Sequence, residues 1–265
     1  MAAVLGDESY IDAVVAAIGS GELHRDNISF DLLRRRHAAD RDLRDRLEWG
    51  KAILTSQAEL DNYLYSYGPM TRRQWGAFLE RVTLPQGRLQ IIDYGCRQGL
   101  ACALLFDYFG RELVDRVDRV VLIEPSAVAL HRAQAIVTCY LAGTREIACI
   151  NKTLDELLPD ELLPIEGRAT IHLFSNILDI DDFEEKSLFE KMFRTRGLHR
   201  VLAVSHHRYF DGGSERIEGL AKDVSDPANW DGEVELRSEC VRFDLDDGKP
   251  AISWDLAAMV RYDSP

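Results

Sequence analysis

The sequence predicts an α/β fold: a doubly wound, mostly parallel seven-stranded sheet with a C-terminal antiparallel hairpin, preceded by a helical N-terminal extension. Three observations carry this. Leu89-Gln90-Ile91-Ile92-Asp93-Tyr94-Gly95-Cys96-Arg97-Gln98-Gly99-Leu100 reads as a buried strand, a glycine-bearing turn and the start of a helix. Glycine belongs in such a turn because the backbone must bend sharply and let a ligand approach with no Cβ in the way. Arg119-Val120-Val121-Leu122-Ile123-Glu124-Pro125-Ser126 is a second buried strand ending in an acid, where folds of this kind hold the ribose hydroxyls of an adenosine. Near the C-terminus, Asp246-Asp247-Gly248-Lys249-Pro250 separates two alternating runs, 234–245 and 251–262, which is a hairpin signal.

The elements follow in order. Residues 1–84 read as a helical extension. Asp7 or Ser9 caps a helix over 10–18, stopped by Gly19-Ser20-Gly21. Asn27 or Ser29 caps a longer segment through Leu32, Leu33, His37, Leu43 and Leu47. A third helix covers 52–65, and after a Gly68-Pro69 turn Thr71 caps a fourth through Trp75, Phe78, Leu79 and Val82. Arg34-Arg35-Arg36, Arg41, Arg44 and Arg46 alternate with Asp40, Asp42, Asp45 and Glu48, the pattern of a solvated, salt-bridged helix face. From residue 85 strands are expected at 89–94, 120–124, 146–151, 169–175 and 199–205. Helices are expected from Gly99 through Phe109, over 127–141, and from near Asp181 or Asp182. Alternating βα units imply a parallel sheet with right-handed crossovers.

Composition narrows the function classes. A net charge of −13 disfavours bulk nucleic acid as a partner. No apolar run approaches the ~20 residues of a membrane span, and the first residues carry no basic region of a signal peptide. Five cysteines (Cys96, Cys102, Cys139, Cys149, Cys240) without a C-x-x-C spacing read as reduced thiols of a cytoplasmic protein. No ligand spacing points to a metal site.

On these residues, 89–262 resemble the class I S-adenosylmethionine-dependent methyltransferases. Asp93, Gly95 and Gly99 match the family's first motif, and Glu124 matches its acid after the second strand. The resemblance implies S-adenosylmethionine as cofactor, with Glu124 on the ribose hydroxyls and Asp93, Gly95, Cys96, Arg97, Gly99 and Pro125 around it. It places an adenine contact after the third strand, among Asn151, Lys152 and Asp155, with Asp155 chosen. The family's fourth motif falls on Phe174-Ser175-Asn176-Ile177-Leu178-Asp179, so Ser175 and Asn176 join the cofactor set. The Asn/Asp-Pro-Pro-Tyr/Phe signature of amino-methylating nucleic-acid enzymes is absent from it. Arg97 stands where the family has its middle glycine; its guanidinium either blocks the methionine end or points outward to a ligand's carboxylate or phosphate. The same turn is similar to that of GRAS-type regulators, which are methyltransferase-shaped proteins without an established methyl-transfer role.

Candidate bases must lie at the C-terminal edge of the sheet, where open α/β folds form their crevice. Asp179 after the fourth strand and His206, beside His207, after the fifth meet that condition. Histidine suits deprotonation of a hydroxyl near neutral pH, although a packed or solvated imidazole is an equally consistent role. Tyr65, Tyr67 and Trp75 either stack on adenine or substrate, or pack the extension onto the sheet. Arg208, Tyr209 and 211–214 read as a substrate loop or a plain surface loop. The expected function is an S-adenosylmethionine-binding methyltransferase acting on a small molecule or a specific macromolecular partner such as a protein acceptor. The alternative is a non-catalytic module that binds a nucleoside-containing ligand or a protein. The extension is then a lid, a docking site or a homodimer surface. The terminal hairpin and the turn's spacing disfavour a dehydrogenase.

Overall fold

The computed structural model describes residues 12–35, 41–142, 145–162, 165–178, 183–193, 196–206, 215–226, 234–245 and 248–262. Its sheet has seven strands: β1 Leu89–Tyr94, β2 Val117–Ile123, β3 Glu146–Ile150, β4 Ala169–Ser175, β5 Gly197–His206, β6 Val234–Asp244 and β7 Pro250–Tyr262. Their order is β3-β2-β1-β4-β5-β7-β6. β1 to β5 pair in parallel, and β7 lies antiparallel between β5 and β6. Every residue of β1 is buried, as a central parallel strand covered on both faces requires. β1 and β4 keep the expected bounds. β2 begins at Val117, three residues earlier than expected, directly where the preceding helix ends at Arg116.

Four helices follow or connect these strands: α5 Leu100–Arg116, α6 Ala127–Tyr140, α7 Glu185–Met192 and α8 Glu215–Ser225. Ser126 caps α6 by accepting from the Ala129 amide at 3.1 Å. α8 was not anticipated. Its signal is the spacing of Ile217, Leu220 and Val224, all fully buried, which places three apolar side chains on one helical face.

The extension differs more from expectation. α1 is Ala13–Gly19, capped by Asp12, whose carboxylate accepts from the Val14 and Val15 amides; Asp7 and Ser9 lie outside the described residues. α2 is Phe30–Arg35, with Ser29 Oγ accepting from Leu32 N at 3.2 Å. α3 Arg41–Arg44 and a 3-10 turn, Asp45–Gly50, follow. The two helices expected on either side of Gly68-Pro69 are one 23-residue helix, α4 Gln57–Leu79, with Pro69 inside it. An interior proline costs about 3 kcal/mol, because it removes one hydrogen bond and crowds the preceding turn. Continuous burial of Leu60, Leu64, Thr71, Trp75 and Phe78 on one face outweighs that cost.

The two sheet faces carry different cores. Leu60, Trp75 and Phe78 of α4 share one core with Leu89 and Ile91 of β1 and Leu104 of α5, so the extension closes that face. Ile92, Tyr94, Phe174, Phe189 and Leu220 belong to the opposite core. On that second face Tyr94 Oη lies 3.0 Å from His172 Nδ1, and His172 Nε2 lies 3.0 Å from His199 Nδ1. Burial drives the His172 value well below its ordinary range. In the first core, Arg132 is fully buried and pairs with Asp12 at 2.7 Å and Asp61 at 2.8 Å. It also donates to Gln98 Oε1 at 2.9 Å.

Two predictions follow from these buried groups. Asp12→Ala leaves the Arg132 charge short of a partner and uncaps α1, so urea unfolding should show a loss of about 3 kcal/mol or more. A loss under about 1 kcal/mol would mean that Asp61 and Gln98 alone satisfy the guanidinium. For His172, a depressed native value means that the unfolded chain binds the extra proton. Its contribution is therefore present above about pH 6.5 and declines as pH falls, by up to about 1.4 kcal/mol per pH unit. The wild type should lose more stability than His172→Phe between pH 7 and pH 5; parallel profiles refute a neutral buried His172.

Candidate active site

The turn after β1 has positive φ at alternate residues: Gly95 (59°), Arg97 (50°) and Gly99 (76°). It is pinned to the end of β2. Cys96 N donates to Ile123 O at 2.9 Å, and Arg97 N donates to one Glu124 carboxylate oxygen at 3.0 Å. Ser126 N donates to the other oxygen, also at 3.0 Å. Asn151, just after β3, donates to the Glu124 and Pro125 carbonyls at 2.9 and 2.8 Å. Glu124 is 1% exposed; burial raises its pKa, and Arg97 pulls it partly back.

Asp93 is fully buried on the face of β1 that looks toward α5. Neither carboxylate oxygen has a partner in hydrogen-bond geometry; the thiol and amide of Cys102 come near and pull its pKa down a little. Burial dominates and pushes Asp93 up to about 7. The Cys96 thiol is driven well above its ordinary range, first by burial and then by Asp93 and Glu124. Cys96 therefore fills space and is not a nucleophile.

The remaining space at this corner is taken by the chain itself. The Arg97 guanidinium donates to the carbonyls of Gly50 and Ala52 and lies 5.5 Å from the centroid of the Tyr63 ring. Ser126 Oγ donates to Leu54 O, and Gln98 Nε2 donates to Leu60 O at 2.9 Å. A Cβ on Gly95 would come within 2.8 Å of Ile177 Cδ1. The void bounded by Tyr63, Thr71, Gly95, Arg97, Leu100 and Ser175 measures about 10 Å³, room for a water. Small-molecule sites occupy about 300–1,000 Å³. The residue types at the corner suit a nucleoside; the space in this arrangement does not fit S-adenosylmethionine.

A second polar cluster lies at the ends of β4, β5 and β7, sealed by α4. Trp75 Nε1 donates to Ser175 Oγ at 3.0 Å, and Trp75 is fully buried. Gln74 Nε2 lies 3.1 Å from each of Asn176 Oδ1, His206 Nδ1 and Ser253 Oγ. Asn176 Nδ2 returns a bond to Gln74 Oε1 at 2.9 Å. Ser253 gives its hydroxyl proton to Ser205 O at 2.9 Å, so it must accept from Gln74, which fixes the amide's orientation. The amide has two N–H protons for these three neighbours, and Asn176 Oδ1 and Ser253 Oγ can take both, so the contact at His206 Nδ1 does not by itself assign the ring's tautomer. Trp75 is also a wall of a groove of about 640 Å³ bordered by Phe30, Arg72, Asp107, Tyr108 and Phe243.

Thus Asp93, Gly95, Cys96, Arg97, Gly99, Glu124 and Pro125 come together at one corner, and Ser175, Asn176 and His206 at the neighbouring one. Asp155 does something else: its carboxylate accepts from the Glu184 amide at 2.8 Å, at the start of α7. Asn151 is the residue after β3 that meets the Glu124 segment. Tyr65 lies under Arg34, 5.6 Å from its guanidinium carbon, and Tyr67 packs against Tyr63 with centroids 5.1 Å apart. Asp179, Asp181, Asp182, His207, Arg208, Tyr209 and 211–214 lie outside the described residues. Gln74, Gln98 and Ser253 were not anticipated. The available signal for Gln74 is a polar residue inside the apolar stripe between Thr71 and Phe78; for Ser253, on an alternating strand, there is none. Among the described residues no His, Cys, Asp and Glu group could hold a metal ion, and no helix is long and apolar enough to cross a membrane.

The sequence matches no protein-family model and no curated protein. Solved structures resemble this chain at low identity. Magnesium protoporphyrin IX methyltransferase from Synechocystis, with bound SAH, is 14% identical over 83% of this chain and 93% of its own, with a TM-score of 0.45. An arsenic(III) S-adenosylmethionine methyltransferase from Chlamydomonas reinhardtii is 13% identical over 72% and 74%, at 0.44. A putative methyltransferase from Bacillus halodurans is 11% identical over 72% and 100%, at 0.42. The strand order, with β7 antiparallel between β5 and β6, is that of a doubly wound, mostly parallel α/β sheet closed by a C-terminal antiparallel hairpin.

Proposed function

We propose that this chain is an S-adenosylmethionine-binding methyltransferase acting on a small molecule or a specific macromolecular acceptor. One observation carries the reading: two buried carboxyl groups, Asp93 and Glu124, flank a left-handed glycine turn at the ends of adjacent strands, and Asp93, with the Cys102 thiol and amide near it, has no hydrogen bond of good geometry. A buried polar group without a hydrogen bond costs a few kcal/mol, a cost that persists where a ligand supplies the missing donor. Glu124 keeps lone pairs beyond those used by its two amide contacts, and these suit a ribose diol. In this reading Gly95 and Gly99 let the ligand approach the backbone, Asn151 orients the Glu124–Pro125 peptide, and Ser175, Asn176 and His206 border the acceptor side. The buried thiols Cys96, Cys102 and Cys139 agree with a reducing, cytoplasmic setting.

A second reading, a non-catalytic module of the same fold that binds a protein partner, is favoured by the filled corner. Calorimetry with SAH on the wild type, Glu124→Gln and Arg97→Gly separates the two. The cofactor reading expects micromolar binding to at least one of wild type and Arg97→Gly. It also expects Glu124→Gln to weaken that binding about tenfold to a hundredfold, the equivalent of one charge-assisted hydrogen bond of ~1.5–3 kcal/mol. Folded protein that binds SAH in neither background refutes the cofactor reading and leaves the module.

A further inference from the structure

Resting on that reading, we propose that residues 50–56 are a built-in occupant of the cofactor corner, held there by Arg97, and that S-adenosylmethionine enters by displacing them. The segment makes the contacts a bound ligand would make. Its carbonyls at Gly50 and Ala52 take the Arg97 guanidinium, and its Leu54 carbonyl takes the Ser126 hydroxyl. Arg97 and Ser126 are the two residues whose amides hold the Glu124 carboxylate. The acid is thus covered by the residues that tie the segment down, which accounts for its near-complete burial.

The design of the segment fits a displaceable piece. It has no helix or strand from Lys51 to Ser56, between the 3-10 turn and α4. Only Leu54 is buried in it (2% exposed), whereas Ile53 is 55% exposed and Thr55 is exposed. Both of its ends are anchored independently of the corner. On one side Leu47 is fully buried. On the other, Leu60 and Leu64 of α4 are buried; the Glu59 N–Ser56 Oγ and Thr55 N–Glu59 carboxylate bonds at the junction belong to the segment and open with it. The segment can therefore leave while α4 stays. Arg97 is the residue that makes this chain different: with glycine at 97 the two guanidinium–carbonyl bonds do not exist, and the volume of that side chain is open.

The test uses the full-length protein, with SAH as the probe, and three measurements. Arg97→Gly should bind SAH at least tenfold more tightly than the wild type. Leu54→Ala loosens the segment without touching the glycine turn and should gain severalfold. In the wild type, saturating SAH should speed amide hydrogen exchange at 51–56 while slowing it at 96–99. Gain in Arg97→Gly alone, with exchange at 51–56 unchanged by SAH, would overturn the proposal: the arginine then merely takes up room, and cofactor binding itself stands. Equal affinity in all three proteins with 51–56 protected by SAH would also overturn it, by making the segment part of the bound site. Loss of SAH binding in every variant, each shown folded, would remove the cofactor reading and this inference together.

Discussion

An arginine held in a left-handed backbone conformation is the constraint on which this corner depends. At φ 50° a residue with a Cβ pays about 1–2 kcal/mol relative to a right-handed conformer. The Arg97 amide is nevertheless needed there, because it is one of the two donors to the Glu124 carboxylate. Its side chain recovers the cost. Hydrogen bonds from a charged group contribute roughly 1.5–3 kcal/mol each, and two carbonyls accept from this guanidinium above the face of Tyr63. A single residue thus couples three things that glycine would leave separate: the turn's shape, the acid at the end of β2, and the path of the chain into α4.

α4 extends that coupling across the whole C-terminal edge of the sheet. Near its start Leu60 O receives Gln98 of the turn, and toward its end Gln74 and Trp75 meet the ends of β4, β5 and β7. Just past its end Arg81 pairs with Asp255 and Glu239. These contacts are polar and directional, and they are interleaved with fully buried apolar residues, so the helix has one seating. That explains why it continues through Pro69. A break at Gly68-Pro69 would turn the second half away from Ser175, Asn176 and Ser253 and expose Trp75.

The sequence made the sheet legible because buried parallel strands are short continuous apolar runs with sharp ends: β1 and β4 have the expected bounds, and the hairpin was announced by its Asp-Asp-Gly turn. The helical extension was less legible. Gly68-Pro69 is locally a breaker, and what overrides it is burial that only the assembled sheet supplies. Of the corner, Gly95, Gly99 and Glu124 were visible, since each answers to a local backbone or charge requirement. The direction of the Arg97 side chain was left open, and it was decided by carbonyls about 45 residues away in sequence, at Gly50 and Ala52. Asp155 shows the same limit from the other side. The sequence places it after β3 as the expected adenine contact, and in the structure a later element, α7, meets it there through the Glu184 amide.

Adjacent residues of β1 differ in how their polar groups are satisfied. Side chains alternate across a strand, so Asp93 looks toward the extension and Tyr94 toward the opposite core. On the Tyr94 side the hydroxyl, His172 and His199 form a chain of 3.0 Å contacts that ties β1, β4 and β5 together. The Asp93 side is equally buried and incomplete, with both oxygens unpartnered and a pKa pushed to about 7 by burial. A core optimised for stability alone would carry an apolar residue at 93, which would avoid that penalty. The carboxyl at 93, one residue before Gly95 and on the face that the extension covers, therefore leaves the costly buried group of β1 on the extension's side of the sheet.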